Sequence, residues 1–357
     1  MPHSPRQRAS AFCKRFGIEV PILLGPMAGA CPPSLSIAVA NAGGAGSCGA
    51  LLMPPDAIRA WHAEFRAKSN GLAHFNLWIP EAPPHRDAAH EAELRAFLGQ
   101  WGPAVPPEAT NAGPPDFAAQ IETILALRPQ VISSVMGLYA PKTVARIKQA
   151  GIAWFACVST VREAKAAEAA GANVIIAQGA EAGGHRAAFD PALAERQTVG
   201  LFALLPAVVD AVRVPVVATG GIADGRGVAA AVMLGASAAQ IGTGFLRCPE
   251  AQTNPAWADA LAATMPEDTM VSRVFSGRPG RSIATAYALA AARADAPAPA
   301  PYPVQRALTA AMREAGGKVG DVERMQAWAG QSAALARAEP AGDVVARVWA
   351  EAQAMLA

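Results

Sequence analysis

The feature that most constrains the fold is a regular alternation of short apolar runs with alanine-rich helical stretches. The apolar runs are β-branched or continuously apolar, which is typical of a parallel sheet covered on both faces. Eight runs predict strands at Ile22–Leu24, Gly46–Leu51, Leu72–Leu77, Val131–Val135, Trp154–Val158, Val174–Ala177, Val214–Ala218 and Ala239–Gly242. Helices are predicted between most of them, at Pro54–Lys68, Asp116–Leu127, Pro141–Ala150, Val161–Ala170, Gly200–Val212 and Gly225–Leu234. Eight such units within ~250 residues predict an α/β fold, the (β/α)8 TIM barrel, with a doubly wound sheet as the alternative.

Three segments depart from this alternation and suggest the domain organisation. Residues 80–115 contain eight prolines and no clear periodicity, which predicts an ordered or partly mobile insertion within a barrel domain of residues 1–250. Residues 251–317 predict a smaller, mainly helical cap domain that contacts substrate. Helices are predicted at Val322–Leu335 and Ala341–Leu356, so residues 318–357 are expected to pack back on the barrel.

Charge and cysteine content exclude several classes of function. Lysine and arginine number 30 against 28 acidic residues, and this balance argues against an electrostatic nucleic-acid binder. The five cysteines are scattered and contain no C-x-x-C pair, which argues against a disulfide framework and predicts a reducing, cytoplasmic location. No pair of histidines or carboxylates has the spacing of metal ligands, so no metal is expected.

Two further patterns have alternative interpretations. The uncharged stretch Val228–Leu246 is long enough to be weighed as a membrane span. Glycines and polar residues interrupt it, so a buried helix, a turn and a strand are predicted, and the protein is expected to be soluble, without a secretory signal. The G-x-G-x-x-G run at Gly44–Gly49 follows a predicted helix and precedes two prolines, so it predicts a helix-to-strand turn rather than a dinucleotide-binding loop.

Paired glycines follow the last two predicted strands. They occur in Thr219–Gly220–Gly221 and in Gln240–Ile241–Gly242–Thr243–Gly244. In a barrel of this kind the C-terminal strand ends carry the function, and free backbone amides at such turns bind anions. The two turns therefore predict a phosphate site, with tight turns of purely structural importance as the alternative.

Polar and soft side chains at other strand ends suggest what carries the phosphate. Asn76 and Gln178 end apolar strands, and a side-chain amide offers a donor and an acceptor that suit the pyrimidine edge of a flavin. Met27 lies in a turn, Gly25–Gly29, that presents backbone and a thioether to a flat ring. Each residue alone also fits a structural role, but their convergence on one barrel mouth favours a flavin.

His185 is the strongest candidate for chemistry. It follows Gly183 and Gly184, which let the backbone pass close to a ligand, and imidazole exchanges protons near neutral pH. His74 lies two residues before Asn76 on the same predicted strand, so both side chains are expected on the same face. A hydrogen-bonded histidine of the core is nevertheless expected at position 74.

Seven runs resemble, in order, those of the nitronate monooxygenase family. They are the turn P-M-A-G, the strand end H-F-N, A-Q-G-A-E-A-G-G-H-R (177–186), A-T-G-G-I-A-D-G (218–225), A-Q-I-G-T (239–243), S-G-R-P-G-R (276–281) and A-G-Q-S (329–332). The resemblance spans nearly the whole chain. It implies an FMN-bearing barrel that oxidises alkyl nitronates, and also nitroalkanes, with O2 to a carbonyl compound and nitrite, without a metal or a nicotinamide.

Carried over by position, the resemblance assigns His185 to the substrate. It assigns FMN to Met27, Asn76, Gln178, Gly183, Gly220, Gly221, Gln240, Ile241, Gly242 and Thr243. As a hypothesis, the imidazole of His185 either removes a carbon-bound proton from a nitroalkane or, when charged, stabilises the nitronate anion. The expected partners are a small-molecule substrate and O2, with no nucleic acid and no membrane, and the chain is expected to be a monomer or a homodimer.

The chain departs from the family pattern at positions that affect the substrate. Val135 stands where many members carry a second active-site histidine, and Ala187 replaces the usual glycine after H-R. Alternatives to the monooxygenase are a flavin-dependent NAD(P)H oxidoreductase, of the enoyl-carrier-protein reductase or quinone reductase type, and a non-catalytic barrel that binds a phosphate ligand. Arg278 and Arg281 are further candidates for contact with the phosphate or a substrate carboxylate, with surface salt bridges as the alternative.

Overall fold

Eight parallel strands close into a barrel in the computed structural model, which describes residues 4–110 and 113–357. They are β1 (Ile22–Leu24), β2 (Ala45–Gly49), β3 (Leu72–Trp78), β4 (Val131–Val135), β5 (Ala153–Val158), β6 (Val174–Gln178), β8 (Val216–Thr219) and β9 (Ala238–Ile241). Each pairs in parallel with the next, and β9 closes the ring on β1, with Leu23 opposite Gln240. The predicted TIM barrel is confirmed, and the strand ends lie within one or two residues of those predicted.

Three further strands form a small antiparallel sheet outside the barrel. They are β7 (Gly184–His185), β10 (Thr269–Ser272) and β11 (Gly280–Ile283), in the order β10–β11–β7. In register, Gly280 lies opposite His185 and Arg281 opposite Gly184. This sheet joins the loop after β6 to a segment almost a hundred residues later in the chain, and the strand periodicity had not predicted it.

Helices follow most of the barrel strands, and several of them begin at side-chain caps. Thr160 and Glu163 form a reciprocal capping box, while the carboxylates of Asp116 and Asp224 accept hydrogen bonds from backbone N–H groups of the first turn. The helices are α1 (Pro5–Phe16), α2 (Pro33–Asn41), α3 (Pro55–Lys68), α4 (Ala88–Leu98), α5 (Phe117–Leu127), α6 (Pro141–Gln149), α7 (Val161–Ala169), α8 (Leu201–Ala211), α9 (Gly225–Met233), α10 (Pro255–Ala263), α11 (Ala286–Ala291), α12 (Val304–Leu308), α13 (Ala310–Val319) and α14 (Ala341–Met355).

The barrel is filled by its own apolar side chains and is closed at its N-terminal end. Leu23, Phe155 and Val217 are fully buried inside it. Phe16 from α1 packs its ring 5.0 Å from that of Phe155, edge to face, so α1 covers the N-terminal end of the barrel. The opposite end, where the C-terminal ends of the strands lie, is therefore the end at which a ligand can enter.

The proline-rich insertion packs with the segment predicted as the cap. Leu94 and Leu98 of α4 lie in one buried cluster with Phe275, Tyr287 and Leu308. Arg86 adds polar contacts by pairing with Glu91, and its guanidinium donates to the carbonyl of Thr110. Residues 111 and 112 of the insertion lie outside the described residues. The insertion is thus anchored over the cap, while the domain boundaries at 250 and 317 stay a prediction.

The C-terminal segment differs from its prediction in one part. The helix predicted at Val322–Leu335 is wrong: only short 3-10 turns form, at Val322–Arg324 and Ala333–Leu335. The reason is that the backbone N–H groups of Ala329 and Gln331 donate to the carbonyls of Arg281 and Glu181 instead of forming helical bonds. Helix α14 forms as predicted and packs against α9 and α2 of the barrel.

The stretch weighed as a membrane span contains α9 and β9, as the sequence predicted. In the ranges 4–110 and 113–357, no helix is both long enough and apolar enough to cross a bilayer.

Candidate functional site

A cavity of about 480 Å³ opens at the C-terminal ends of the barrel strands. Ten of the eleven residues predicted from the sequence line it: Met27, Asn76, Gln178, Gly183, His185, Gly220, Gly221, Gln240, Gly242 and Thr243. Ile241 does not, because its side chain is buried in the core between the barrel and its helices. Residues from the ends of five barrel strands thus meet at one site, as the parallel barrel requires.

The two glycine turns present backbone N–H groups to this cavity. Gly220 and Gly221 have φ values of 110° and 70°, which side-chain-bearing residues rarely adopt. The N–H groups of Gly220, Gly221, Gly242 and Thr243 find no acceptor in the described part of the chain. Four unpaired donors at neighbouring strand ends make the concave, electropositive surface that a phosphate needs.

Gln240 carries an unpaired acceptor beside these turns. Its side chain is 5% exposed and lines the cavity, and its Oε1 has no hydrogen-bond partner among the described residues. A buried acceptor left without a donor costs about 1–3 kcal/mol, so its presence points to a ligand that donates to it. Together with the unpaired N–H groups, this orphaned atom shows that the residues present fit a phosphate-bearing, hydrogen-bonding cofactor such as FMN.

Gln178 holds the loop that carries His185. Its Nε2 donates to the carbonyl oxygen of His185 at 3.1 Å, and its Oε1 accepts from the N–H of Ala187 at 2.9 Å. Asn76, in contrast, makes a single side-chain hydrogen bond to the described residues, from Nδ2 to the Oγ of Ser133 at 3.0 Å. Gln178 therefore fixes the loop that carries His185 in addition to facing the cavity.

His185 lies in β7 between two tryptophan rings. The ring centroids of Trp78 and Trp328 are 4.7 Å and 4.8 Å from that of the imidazole. Its Nε2 lies 2.7 Å from the Oγ of Ser276, which is itself fully buried. One side of the imidazole is thus fixed by a hydrogen bond and two aromatic contacts, while the residue also lines the cavity.

The surroundings of His185 favour the neutral imidazole. Burial lowers its pKa to about 3, with further lowering by the nearby guanidinium groups of Arg278 and Arg306. A neutral imidazole accepts a proton and does not supply positive charge at physiological pH. These charges argue against one of the two roles predicted for this residue, the stabilisation of an anion by a charged imidazole.

The arginines at the site differ from those that the sequence suggested. Arg278 is buried and pairs with Glu81 at 2.7 Å, and Arg281 donates to the carbonyl of Ala180 and to Thr269, so neither lines the cavity. Arg306 and Arg313, which the sequence analysis had not selected, do line it.

Sequence reasoning also missed Ser276, Trp78 and Trp328. Ser276 begins the S-G-R-P-G-R run and Trp328 immediately precedes A-G-Q-S, two of the runs that carry the resemblance. Their proximity to those runs was the available signal, but contact with His185 depends on the β7–β11 pairing.

The remaining candidates behave as structural residues. His74 is buried and bonded to Ser133 Oγ at 3.0 Å and to the carbonyl of Leu24 at 3.3 Å, and burial lowers its pKa to about 4. The expected core role is therefore confirmed. Val135 lines the cavity with its apolar side chain. Among residues 4–110 and 113–357, no group of three or more histidine, cysteine or carboxylate side chains is arranged to hold a metal ion.

Comparison with known proteins gives one consistent result. The family model described as nitronate monooxygenase matches residues 9–351. A nitronate monooxygenase of Paraburkholderia phytofirmans is 37% identical over 347 residues, which cover 96% of this chain and 94% of that protein. A probable nitronate monooxygenase of Staphylococcus aureus is 33% identical over 336 residues, covering 93% and 94%.

Solved structures resemble the whole fold. The nitroalkane oxidase of Streptomyces ansochromogenes superposes with a TM-score of 0.87 at 33% identity, covering 97% of this chain and all of that one. FabK from Thermotoga maritima superposes with a TM-score of 0.75 at 27% identity, covering 97% and 96%. Both similarities extend over the barrel and the segments beyond it.

Proposed function

Because the chain belongs to the nitronate monooxygenase family, we propose that it oxidises alkyl nitronates with O2, using bound FMN, to a carbonyl compound and nitrite. Family membership makes it a flavin-dependent oxidoreductase. We also propose that the flavin is FMN and that the protein is cytoplasmic. Five buried free cysteines are in keeping with a reducing compartment.

The proposed cofactor site divides into two parts. The unpaired N–H groups of Gly220, Gly221, Gly242 and Thr243 would bind the phosphate of FMN. The orphaned Oε1 of Gln240 would accept from an N–H of the flavin ring. When bound, FMN supplies the single-electron redox chemistry that allows a nitronate to react with O2.

Asn76, Met27 and Gly183 would complete the cofactor site around the flavin ring. His185 would face the substrate from its position between the tryptophans. With a neutral nitroalkane, its imidazole would accept the carbon-bound proton and leave the nitronate. With a nitronate as substrate no proton needs to be removed. In the net reaction, two nitronate ions and one O2 would give two carbonyl compounds and two nitrite ions: each carbon gains one oxygen atom from O2 as its bond to nitrogen breaks.

One observation carries the proposal: a single cavity contains both the unpaired N–H groups of the two glycine turns and a neutral imidazole hydrogen-bonded to Ser276. A barrel that only binds a phosphate ligand needs the first of these features and not the second. Substrate, flavin and imidazole can therefore occupy one cavity, whose lining includes Trp78 and Trp328 beside His185.

The proposal is tested with the purified protein loaded with FMN. Oxygen uptake and nitrite release are measured with ethylnitronate, and NADH and NADPH oxidation is measured in parallel. We expect a yellow protein that consumes O2 and releases nitrite without oxidising either nicotinamide. Rapid NADH oxidation without nitrite would favour the reductase alternative, and a protein that does not bind FMN would favour the non-catalytic barrel.

A further inference from the structure

The charged side chains in the described lining of the cavity are all positive. Its described lining contains no aspartate or glutamate, whereas two guanidinium groups, those of Arg306 and Arg313, face it. Charges in a cavity with apolar and aromatic walls act over short range with less screening than at the protein surface. The lining therefore favours anionic ligands over neutral or cationic ones.

The guanidinium groups around the site have different hydrogen-bonding states. Arg313 is occupied by Thr309 Oγ1 at 3.1 Å, by Gln326 Oε1 at 3.2 Å and by the carbonyl of Arg306 at 2.9 Å. Arg306 is different. Within residues 4–110 and 113–357, no carboxylate lies within 4.0 Å of its guanidinium, and the guanidinium donates no hydrogen bond there. A cation with five N–H donors and no protein acceptor is available to a ligand.

The backbone that carries Arg306 is firmly held. Gln305, its buried neighbour in α12, accepts from the N–H of Ala300 and donates to the carbonyl of Val274. Thr309, just after the helix, donates from Oγ1 to the carbonyl of Phe275 at 2.7 Å. The side chain of Arg306 therefore projects from a fixed support rather than from a free loop.

Arg306 and His185 line the same cavity, and the positive charge of Arg306 contributes to lowering the pKa of the imidazole. The unpaired N–H groups proposed to bind the phosphate lie elsewhere in the lining, on the glycine turns after β8 and β9. A neutral imidazole cannot balance the charge of a nitronate. Of the two guanidinium groups that line the cavity, that of Arg313 is bonded to protein acceptors, so we assign this role to Arg306.

We propose that the guanidinium of Arg306 binds the anionic nitro group of the substrate, so that the enzyme takes up the nitronate in preference to the neutral nitroalkane. This inference rests on the proposed function and adds a specificity-determining residue to it. A planar guanidinium can donate two parallel hydrogen bonds to the two oxygens of a nitronate, as it does to a carboxylate.

The test compares FMN-loaded wild type with Arg306→Met, Arg306→Lys and the control Arg293→Met. Arg293 is 70% exposed in its side chain and pairs with Asp295 on the surface, so its replacement removes one positive charge away from the cavity. For each protein we measure KM for ethylnitronate and for nitroethane, the inhibition constant of nitrate, and the Kd of FMN. Nitrate serves as a planar oxyanion that the enzyme cannot oxidise.

In Arg306→Met we expect KM for the nitronate and the inhibition constant of nitrate to rise about 10- to 100-fold, the range for a lost hydrogen bond to a charged group. KM for nitroethane and the Kd of FMN should stay near the wild-type values. Arg306→Lys should recover part of the affinity, and Arg293→Met should match wild type. A rise in KM for the anionic substrate without a rise in KM for the neutral one would not result from a purely structural role of Arg306.

Two results would overturn the inference: unchanged nitronate and nitrate affinities in Arg306→Met, or a weakened FMN affinity with nitrate affinity intact, which would place Arg306 on the phosphate. If wild type oxidises no nitronate, the proposed function fails instead. Nitrate binding, measured by calorimetry on the same proteins, would then still decide whether Arg306 forms an anion site.

Discussion

The Nε2 atom of His185 lies 2.7 Å from the Oγ of Ser276. His185 belongs to β7, in the loop after β6, and Ser276 precedes β11, the strand of the outer sheet that pairs with β7. Ser276 Oγ also lies 3.2 Å from the carbonyl of Arg278 and accepts from the N–H of the same residue at 3.3 Å. When the hydroxyl proton is donated to that carbonyl, Nε2 carries its own proton and Nδ1 is the atom able to accept one. Ser276 can therefore determine which nitrogen of the imidazole acts as the base.

Replacing Ser276 with alanine should lower turnover without affecting the cofactor. The lost hydrogen bond is worth about 1 kcal/mol, which corresponds to roughly a fivefold decrease in kcat/KM with a nitroalkane. Steady-state kinetics with nitroethane and with ethylnitronate measure it. Because only the nitroalkane requires proton removal, the effect should be larger for nitroethane, and an equal loss with both substrates would contradict the positioning role.

Replacing His185 with asparagine should preserve FMN binding and remove most activity towards nitroalkanes. Loss of a positioned general base lowers rates about 100- to 10,000-fold. The flavin absorbance of the purified protein and its nitrite release are the two measurements. His85→Asn is the matched control, because His85 is exposed on the insertion. Full activity in the His185 variant would refute its assignment.

The pH dependence of kcat/KM should reflect the lowered pKa of His185. Burial and the positive charges of Arg278 and Arg306 bring this pKa to about 3, so the base is already neutral above that pH. Activity with a nitroalkane should therefore show no acid limb between about pH 8 and about pH 5, where an ordinary histidine would titrate. A half-maximal point near 6.5 would show that the imidazole titrates as it does in water.

Stability should fall in acid because of His74. Its pKa is lowered from 6.5 to about 4 in the folded protein, so the unfolded chain takes up this proton first as the pH decreases. The contribution of the neutral His74 to the free energy of unfolding is complete above about pH 6.5. It is lost progressively down to about pH 4, a total of about 3 kcal/mol. Denaturant unfolding of wild type, His74→Gln and the exposed control His85→Gln measures this. A pH slope in His74→Gln as steep as in wild type would exclude His74 as the cause.

Gly183 should not tolerate a methyl group. A Cβ placed there would lie 2.5 Å from the backbone nitrogen of Gly330 and 2.7 Å from the carbonyl carbon of Ala329. Because backbone atoms cannot move aside cheaply, Gly183→Ala should cost about 1–3 kcal/mol in the free energy of unfolding and weaken FMN binding. At Gly99 the same change meets only ordinary contacts beyond 3.4 Å, so Gly99→Ala is the control. Equal stability of the two variants would contradict the prediction.

The periodicity of the sequence predicts the barrel because each strand and helix is defined by local pattern. Asn76, Gln178 and His185 could be placed at one barrel mouth on that basis, since parallel strands bring their C-terminal ends together. Local pattern failed where long-range pairing decides the structure. Strands β10 and β11 are short and form a sheet with only two residues of the barrel loop.

The same limit explains the missed residues. Ser276 and Arg306 reach the site through segments whose conformation depends on contacts with distant parts of the chain. The helix predicted at Val322–Leu335 failed because its backbone bonds go to Arg281 and Glu181, which no helical periodicity encodes. Most of the cavity-lining positions considered in the first 250 residues, with Trp78 as an exception, were thus accessible to sequence reasoning, whereas Arg306 and Trp328 were not.

The pairing of β7 with β11 has a consequence for biosynthesis. Residues 184 and 185 leave the ribosome long before residues 280–283, with which they pair. A growing chain can close its barrel once β9 has emerged, but the imidazole has neither its serine nor its strand partner until the outer sheet has been translated. Assembly of the reactive centre is therefore a late event, separated from formation of the scaffold that supports it.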